Sequence, residues 1–429
     1  MNTTPPSLSP TENPRWLRRF APIWIGQVFS LFGSGLVHFS LIWWLTQTTG
    51  SAVVLATASF VGFLPQIVLG PFVGALVDRW NRRRVMMLAD SGIALATLGL
   101  VLLFALGLAQ PWHIYVVLFL RSLGGAFHWP AMQASTTLLV PERHLARVAG
   151  ANQALNGLIN IVAPPSGALL LDVLPLQGVL AIDVVTAFIA VGLLGLVQIP
   201  QPVRLDAQRA LTPRVVLRDV HEGLRYLAGW PGMLALLLMA TLINFLLNPA
   251  FALLPLLVTR HFNGTAIHLG WLESGYGIGV VLGGLILSVW GGFRRKLWTS
   301  MSGLFILGVG AIGMGLLPPS AYPIALGLMF WMGIANPITN GPLFALVQAR
   351  VAPEIQGRVF TVISSLATAM TPLGMLIAGP VAEWLGLQTW YIVGGTGCAL
   401  MSITALIWPV TANLETQPGP HMASADSSA

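Results

Sequence analysis

Three carboxylates lie inside long apolar stretches of this chain: Asp90, Asp183 and Glu273. Away from water the charged form is costly, so an embedded carboxylate either takes a cationic partner or carries a proton that it can gain and lose. Glu273 stands in Gly270-Trp271-Leu272-Glu273-Ser274-Gly275, where small neighbours let another helix come close and no basic residue lies within a turn. It is the first candidate for reversible protonation. Asp90 has Arg83, Arg84 and Arg147 as candidate partners, and Asp183 has Arg121. Arg121 itself sits about ten residues, or roughly 15 Å, inside its apolar stretch, where a guanidinium needs an anion or a wet cavity. Glu273, Arg121, Asp183 and Asp90 form the candidate proton-coupling set. His128 follows Arg121 by seven residues and shares nearly the same helical face. His38 either titrates near neutrality or serves as a helix contact. Asn152, Asn156 and Asn160 recur every four residues; this one polar stripe either lines a substrate cavity or bonds neighbouring helices.

The elements that must position these groups are spans of a membrane. With 55% hydrophobic and 8% charged residues over 429 positions, and a mean hydropathy of +0.78, the chain has more apolar surface than one water-soluble globule can hide. The apolar stretches run to roughly 20 residues or more, long enough to cross a hydrocarbon core as helices. No alternating strand pattern suggests a barrel. The sequence predicts twelve spans, near 20–46, 52–77, 85–108, 111–139, 147–171, 175–198, 232–259, 266–290, 297–316, 320–348, 357–382 and 387–410. Residues 1–19 and 411–429 read as disordered cytoplasmic tails and 199–231 as a cytoplasmic linker, leaving helical bundles at 20–198 and 232–410.

A formal charge of +7 would suit nucleic acid in a soluble protein, but here placement matters more than the sum. Nineteen of the 21 basic residues fall in the tail and loops of one side; Arg260 lies on the other and Arg121 inside a span. This bias predicts an inner-membrane protein with both termini in the cytoplasm and no nucleic-acid partner. The two halves also repeat. At an offset of 212, Pro130, Pro141 and Glu142 match Pro342, Pro353 and Glu354; at 211, Arg147, Asp172, Leu176 and Gln177 match Arg358, Glu383, Leu387 and Gln388. Ordered matches of this kind indicate a duplicated six-helix unit, the arrangement associated with rocking around a midplane site.

After the second span runs Gly74-Ala75-Leu76-Val77-Asp78-Arg79-Trp80-Asn81-Arg82-Arg83. This closely resembles the loop 2–3 signature of the major facilitator superfamily, with Asn81 where that family usually has glycine; asparagine tolerates the left-handed conformation such a turn uses. The resemblance implies a cytoplasmic latch of Gly74, Asp78, Arg79, Arg82 and Arg83, with the arginines bridging the halves. Arg121-Ser122-Leu123-Gly124-Gly125 resembles the span 4 signature of proton-coupled facilitators, in which the arginine tunes a nearby carboxylate. Gly150 and Ala163-Pro164-Pro165-Ser166-Gly167 are similar to the span 5 antiporter signature, although Ile159 and Ala163 replace two of its glycines. Spans 4 and 10 line the central cavity in this superfamily, so Trp129 and Trp331 become candidates for stacking on a drug, beside Asn152, Asn156, Asn160 and His128. The chain is identified as a member of this superfamily, closest to its drug:proton antiporter, macrolide-efflux-like branch. The fold this implies is all-α, twelve transmembrane helices in two pseudo-symmetric six-helix bundles. The function it implies is proton-driven efflux of amphipathic drug-like compounds by alternating access; a siderophore or lipid exporter, or an uptake symporter, is the alternative on the same fold. A monomer in the lipid bilayer is expected, exchanging a small amphipathic substrate for protons, without cofactor or metal. No H-E-x-x-H, G-x-S-x-G or phosphate-cradling G-x-x-x-x-G-K-[ST] occurs, which argues against an enzyme or a nucleotide-driven pump.

Overall fold

A computed structural model describes residues 16–199, 224–351 and 353–415; within its helices the side chains of Gly74, Asp78 and Arg358, among others, are outside that set. Among the described residues are twelve helices of 20 residues or more. They are α1 (Trp16–Thr49), α2 (Ala52–Arg79), α3 (Arg82–Ala105), α4 (Pro111–Leu139), α5 (Glu142–Val173), α6 (Leu176–Leu196), α7 (Pro231–Ala252), α8 (Ala266–Trp290), α9 (Lys296–Leu316), α10 (Tyr322–Arg350), α11 (Pro353–Leu385) and α12 (Gln388–Ile407). Nine are long and apolar enough to cross a membrane among the described residues. Two of the remaining helices, α4 and α10, carry Arg121 and His128, and Asn336 and Asn340. These polar residues lower the mean hydropathy of both helices.

The helices pack in two groups. In the first, α1 lies on α5 and α6, and α3 and α4 pack together and against α6 and α2. In the second, α9 lies between α10 and α12, α8 against α10, and α7 against α11 and α12. The groups are joined by α5 on α8 and α2 on α11. The sequence repeat appears in these elements: Pro141 precedes α5 and Pro353 opens α11, while Leu176 and Gln388 open α6 and α12.

Several expectations need correction at the edges. Helix α1 begins at Trp16, and Phe20 is buried, so the tail is shorter than 1–19. At the other end Thr411 and Leu414 are fully buried, and a carboxylate oxygen of Glu415 accepts from the Leu297 backbone N–H at 2.6 Å. That carboxylate caps the open N-terminus of α9, which attracts anions, and orders residues assigned to the second tail. Leu227 and Trp230, placed in the linker, belong to the hydrophobic core; linker residues 200–223 lie outside the described residues. The seventh span breaks after Ala252 and continues through Leu254–Leu256 into a π-helical turn, Leu257–His261. Pro255 lacks the N–H that an uninterrupted helix would use there.

Candidate functional site

The charged centre is built where four helices meet. Arg121 on α4 donates to Asp183 Oδ2 on α6 at 2.5 Å, and the two side chains are 11% and 1% exposed. Thr97 on α3 and Ser34 on α1 donate to the same carboxylate at 3.3 Å each. Arg121 also donates to Thr97 Oγ1 at 2.8 Å. Gly33 permits this convergence, because a Cβ there would lie 3.1 Å from Asp183 Oδ1 and collide with Thr186. A buried ion pair repays its desolvation only when further hydrogen bonds fill its remaining positions, and here α1 and α3 supply them.

Glu273 is placed by small residues. On α8, Gly270 and Gly277 lie one turn to either side of it, and Ser274 adjoins it. A Cβ on Gly270 would come within 2.9 Å of Pro165 Cα, and one on Gly277 within 3.0 Å of Ile161. Ser274 donates to the Ile161 carbonyl oxygen at 2.5 Å. The small-residue face therefore seats α8 on the backbone of α5 near Pro164 and Pro165, and holds Glu273 at the seam between the two groups. There it lines a cavity of about 340 Å³ with His38, Asn160, Phe251 and Tyr276. An adjoining cavity of about 650 Å³ is lined by Arg121, Ser59, Gln66, Asn248 and Thr371, and again by His38 and Phe251. His38 is exposed within this space and borders both cavities.

Other candidates are arranged differently from the sequence expectation. Asp90 does not meet Arg83, Arg84 or Arg147 but lies 3.5 Å from His128 Nε2, which is also 3.1 Å from Gln27 Nε2. Arg83 instead reaches the end of α6, donating to the carbonyl oxygens of Leu194 at 3.1 Å and of Gly195, and Arg82 donates to that of Ala134 on α4 at 2.8 Å. Cations suit the electronegative C-terminus of a helix. Through these bonds Arg82 and Arg83 brace their own group in this conformation. Arg79 is exposed to solvent, and the side chains of Gly74 and Asp78 lie outside the described residues. Asn81 is not left-handed; at φ −67° it is the N-cap of α3, accepting from the Arg84 N–H at 3.1 Å, a role asparagine fills as well as any residue.

The asparagine stripe divides. Asn152 accepts from Trp24 Nε1 at 2.9 Å, Asn156 is half-buried, and Asn160 lines the Glu273 cavity. Trp129 and Trp331 are 45% and 56% exposed and line neither cavity. Trp331 lies nine residues before Asn340, which places the two on opposite faces of α10. Asn244 with Asn248, and Asn336 with Asn340, repeat the same four-residue spacing on α7 and α10 outside the expected site residues.

The two groups are held together on the arginine-poor side of the molecule. Arg260 donates to the Gly50 carbonyl oxygen, Ser51 to a Glu383 carboxylate oxygen at 2.7 Å, and Gly379 abuts Val53, where a Cβ would sit 2.7 Å from the Val53 Cα. Replacing Arg260 by Met and Glu383 by Leu removes two polar ties between the groups at this end. The double variant should populate the oppositely open state, raising severalfold the outer-side labelling of a cysteine placed at Ile42, with the buried Cys398 giving low background. Unchanged labelling would show that backbone packing alone holds this end shut.

The model of the Major Facilitator Superfamily matches residues 23–374. This chain belongs to that superfamily. It is 37% identical over 395 residues to macrolide efflux protein A of Streptococcus pyogenes, covering 92% of this chain and 96% of that protein. It is 28% identical over 403 residues to the multidrug efflux pump Tap of Mycolicibacterium fortuitum, covering 90% and 95%. A crystal structure of the nucleoside transporter NupG superposes with a TM-score of 0.69 at 13% identity, covering 89% of this chain and 97% of that one. That of a D-xylose-proton symporter gives 0.67 at 12%, covering 93% and 100%. At such identities the structures speak for the fold.

Proposed function

We propose that this superfamily member is a proton-driven exporter of amphipathic drug-like compounds. It works as a monomer in the bacterial inner membrane with both termini in the cytoplasm. The observation that carries this reading is Glu273: an embedded carboxylate with no cation beside it among the described residues, lining a cavity at the seam between the two groups that adjoins, through His38 and Phe251, the cavity lined by Arg121. Efflux relatives at 37% and 28% identity across nearly the whole chain support the cargo class. The arginine bias orients the molecule, so the closed side is external and this conformation faces the cytoplasm.

In the working cycle a cytoplasmic amphipath enters while Glu273 is ionised, and its cationic group pairs with the carboxylate. The halves rock, the cavity opens outward, and a proton from outside binds the same oxygen as the drug departs. Neutral Glu273 then returns through the apolar seam and gives its proton to the cytoplasm. Competition of drug and proton for one carboxylate is sufficient for exchange, since each ligand acts only through its different affinity for the two states. Arg121, already neutralised by Asp183, supplies a fixed polar wall.

Erythromycin accumulation in energised cells tests the reading. Cells expressing the protein should hold severalfold less drug than control cells, and a protonophore should erase the difference. Equal accumulation with the protein present in the membrane would remove the drug assignment, and a difference that survives the protonophore would remove the proton.

A further inference from the structure

The carboxy-terminal group holds a third cavity, of about 290 Å³, between α7, α8, α9, α10 and α12. None of its described lining residues is charged. Its polar groups are chiefly amides, Asn244 and Asn248 on α7 and Asn336 and Asn340 on α10, and the four-residue spacing puts each pair on one helical face. Tyr276 adds a hydroxyl. The amides are only partly used. Asn244 Nδ2 donates to the Ala240 carbonyl at 2.9 Å, and Asn248 Nδ2 donates to Asn244 Oδ1 at 3.0 Å and to Thr371 Oγ1 at 2.8 Å. Asn340 Nδ2 donates to the Asn336 carbonyl at 3.1 Å. The amide oxygens of Asn248 and Asn340 are left without a donor among the described residues. The rest of the wall includes Met239, Met301 and Met401, flexible side chains that repack around ligands of different outline.

This cavity adjoins the other two. It shares Asn244, Asn248 and Phe251 with the Arg121 cavity, and Phe251 and Tyr276 with the Glu273 cavity. A ligand can therefore extend from Glu273 past Phe251 and Tyr276 to the amides. An amide offers both donors and an acceptor and suits hydroxyl, ester and ketone groups without demanding charge. A volume near 290 Å³ is at the lower edge of drug-sized pockets, enough for a portion of a large ligand.

We propose that the asparagine cavity is the subsite for the uncharged, oxygen-rich body of the transported amphipath, while Glu273 takes its cationic group. This rests on the drug-export reading above and divides its site into two chemically distinct halves. It sorts substrates: a cation bearing hydroxyls and carbonyls uses both halves, and a purely apolar cation uses one.

Binding to the full chain in nanodiscs tests the division, using erythromycin, an oxygen-rich cation, and tetraphenylphosphonium, a cation with no hydrogen-bonding group. Asn336→Leu and Asn340→Leu keep the side-chain size and remove the amide. Each should weaken erythromycin about three- to tenfold, the range for one neutral hydrogen bond, and leave tetraphenylphosphonium within about twofold, which also reports a folded site. Unchanged erythromycin binding, or equal loss of both probes by protein that remains monodisperse, overturns the proposal. Should Asn336→Leu not fold, Asn340→Ala, at an exposed position in the cavity, carries the same test. If the wild type exports erythromycin while these variants export it equally well, this subsite alone is refuted. If the wild type neither binds nor exports it, the drug reading falls as well.

Discussion

Asp183→Asn is expected to cost about 3–5 kcal/mol of stability, the range for removing one partner of a buried pair. Asparagine keeps the shape and most of the hydrogen bonds from Ser34, Thr97 and Arg121, but it leaves a guanidinium that cannot lose its charge in a site 11% exposed. The converse change should be milder. Arg121→Met strands a carboxylate, and a carboxylate can take up a proton and become a neutral acid. The combined change, Arg121→Met with Asp183→Leu, should recover most of the stability, since apolar packing can replace a buried pair without loss, yet it should not restore transport. Thermal unfolding of detergent-purified protein reads these differences. Equal stability of Asp183→Asn and wild type would mean that the pair does not hold α1, α3, α4 and α6 together.

Glu273→Gln is expected to abolish uphill transport while sparing the fold, because glutamine imitates the protonated acid and Glu273 has no cationic partner among the described residues to strand. A pH difference of one unit is worth about 1.4 kcal/mol per proton, enough for a roughly tenfold concentration gradient at one proton per drug. Wild-type protein in vesicles should build such a gradient from that pH difference, and Glu273→Gln should build none.

Much of this was legible in the sequence because lipid imposes simple rules. Each apolar stretch read from hydropathy falls on a long helix, nine of them apolar enough to cross a membrane among the described residues, and the pairing of Arg121 with Asp183 followed from the cost of a lone embedded cation. The small residues around Glu273 announced a close helix contact, which proved to be the backbone of α5. What failed was inference from proximity along the chain. Arg83 and Arg84 lie within two turns of Asp90, but carbonyl groups at the end of α6 compete for Arg83, and the partner of Asp90 comes from α4. The open asparagine question had a mixed answer: Asn152 bonds a neighbouring helix while Asn160 reaches a cavity. The amides of α7 and α10 obeyed the same spacing rule and were missed, because two-member stripes on separate helices become one site only when packing brings them together. Asn81 shows a similar limit, since an asparagine after a helix serves equally as a left-handed turn or as the cap of the next helix.

The central claim is that one carboxylate, Glu273, exchanges drug for proton. Proteoliposomes enclosing a pH-sensitive dye, challenged with an erythromycin gradient at equal internal and external pH, measure this directly. Wild-type protein should move protons opposite to the drug, and Glu273→Gln should give no proton signal although drug still equilibrates downhill. Proton movement by Glu273→Gln at the wild-type rate, or drug movement by wild type without protons, would contradict the account.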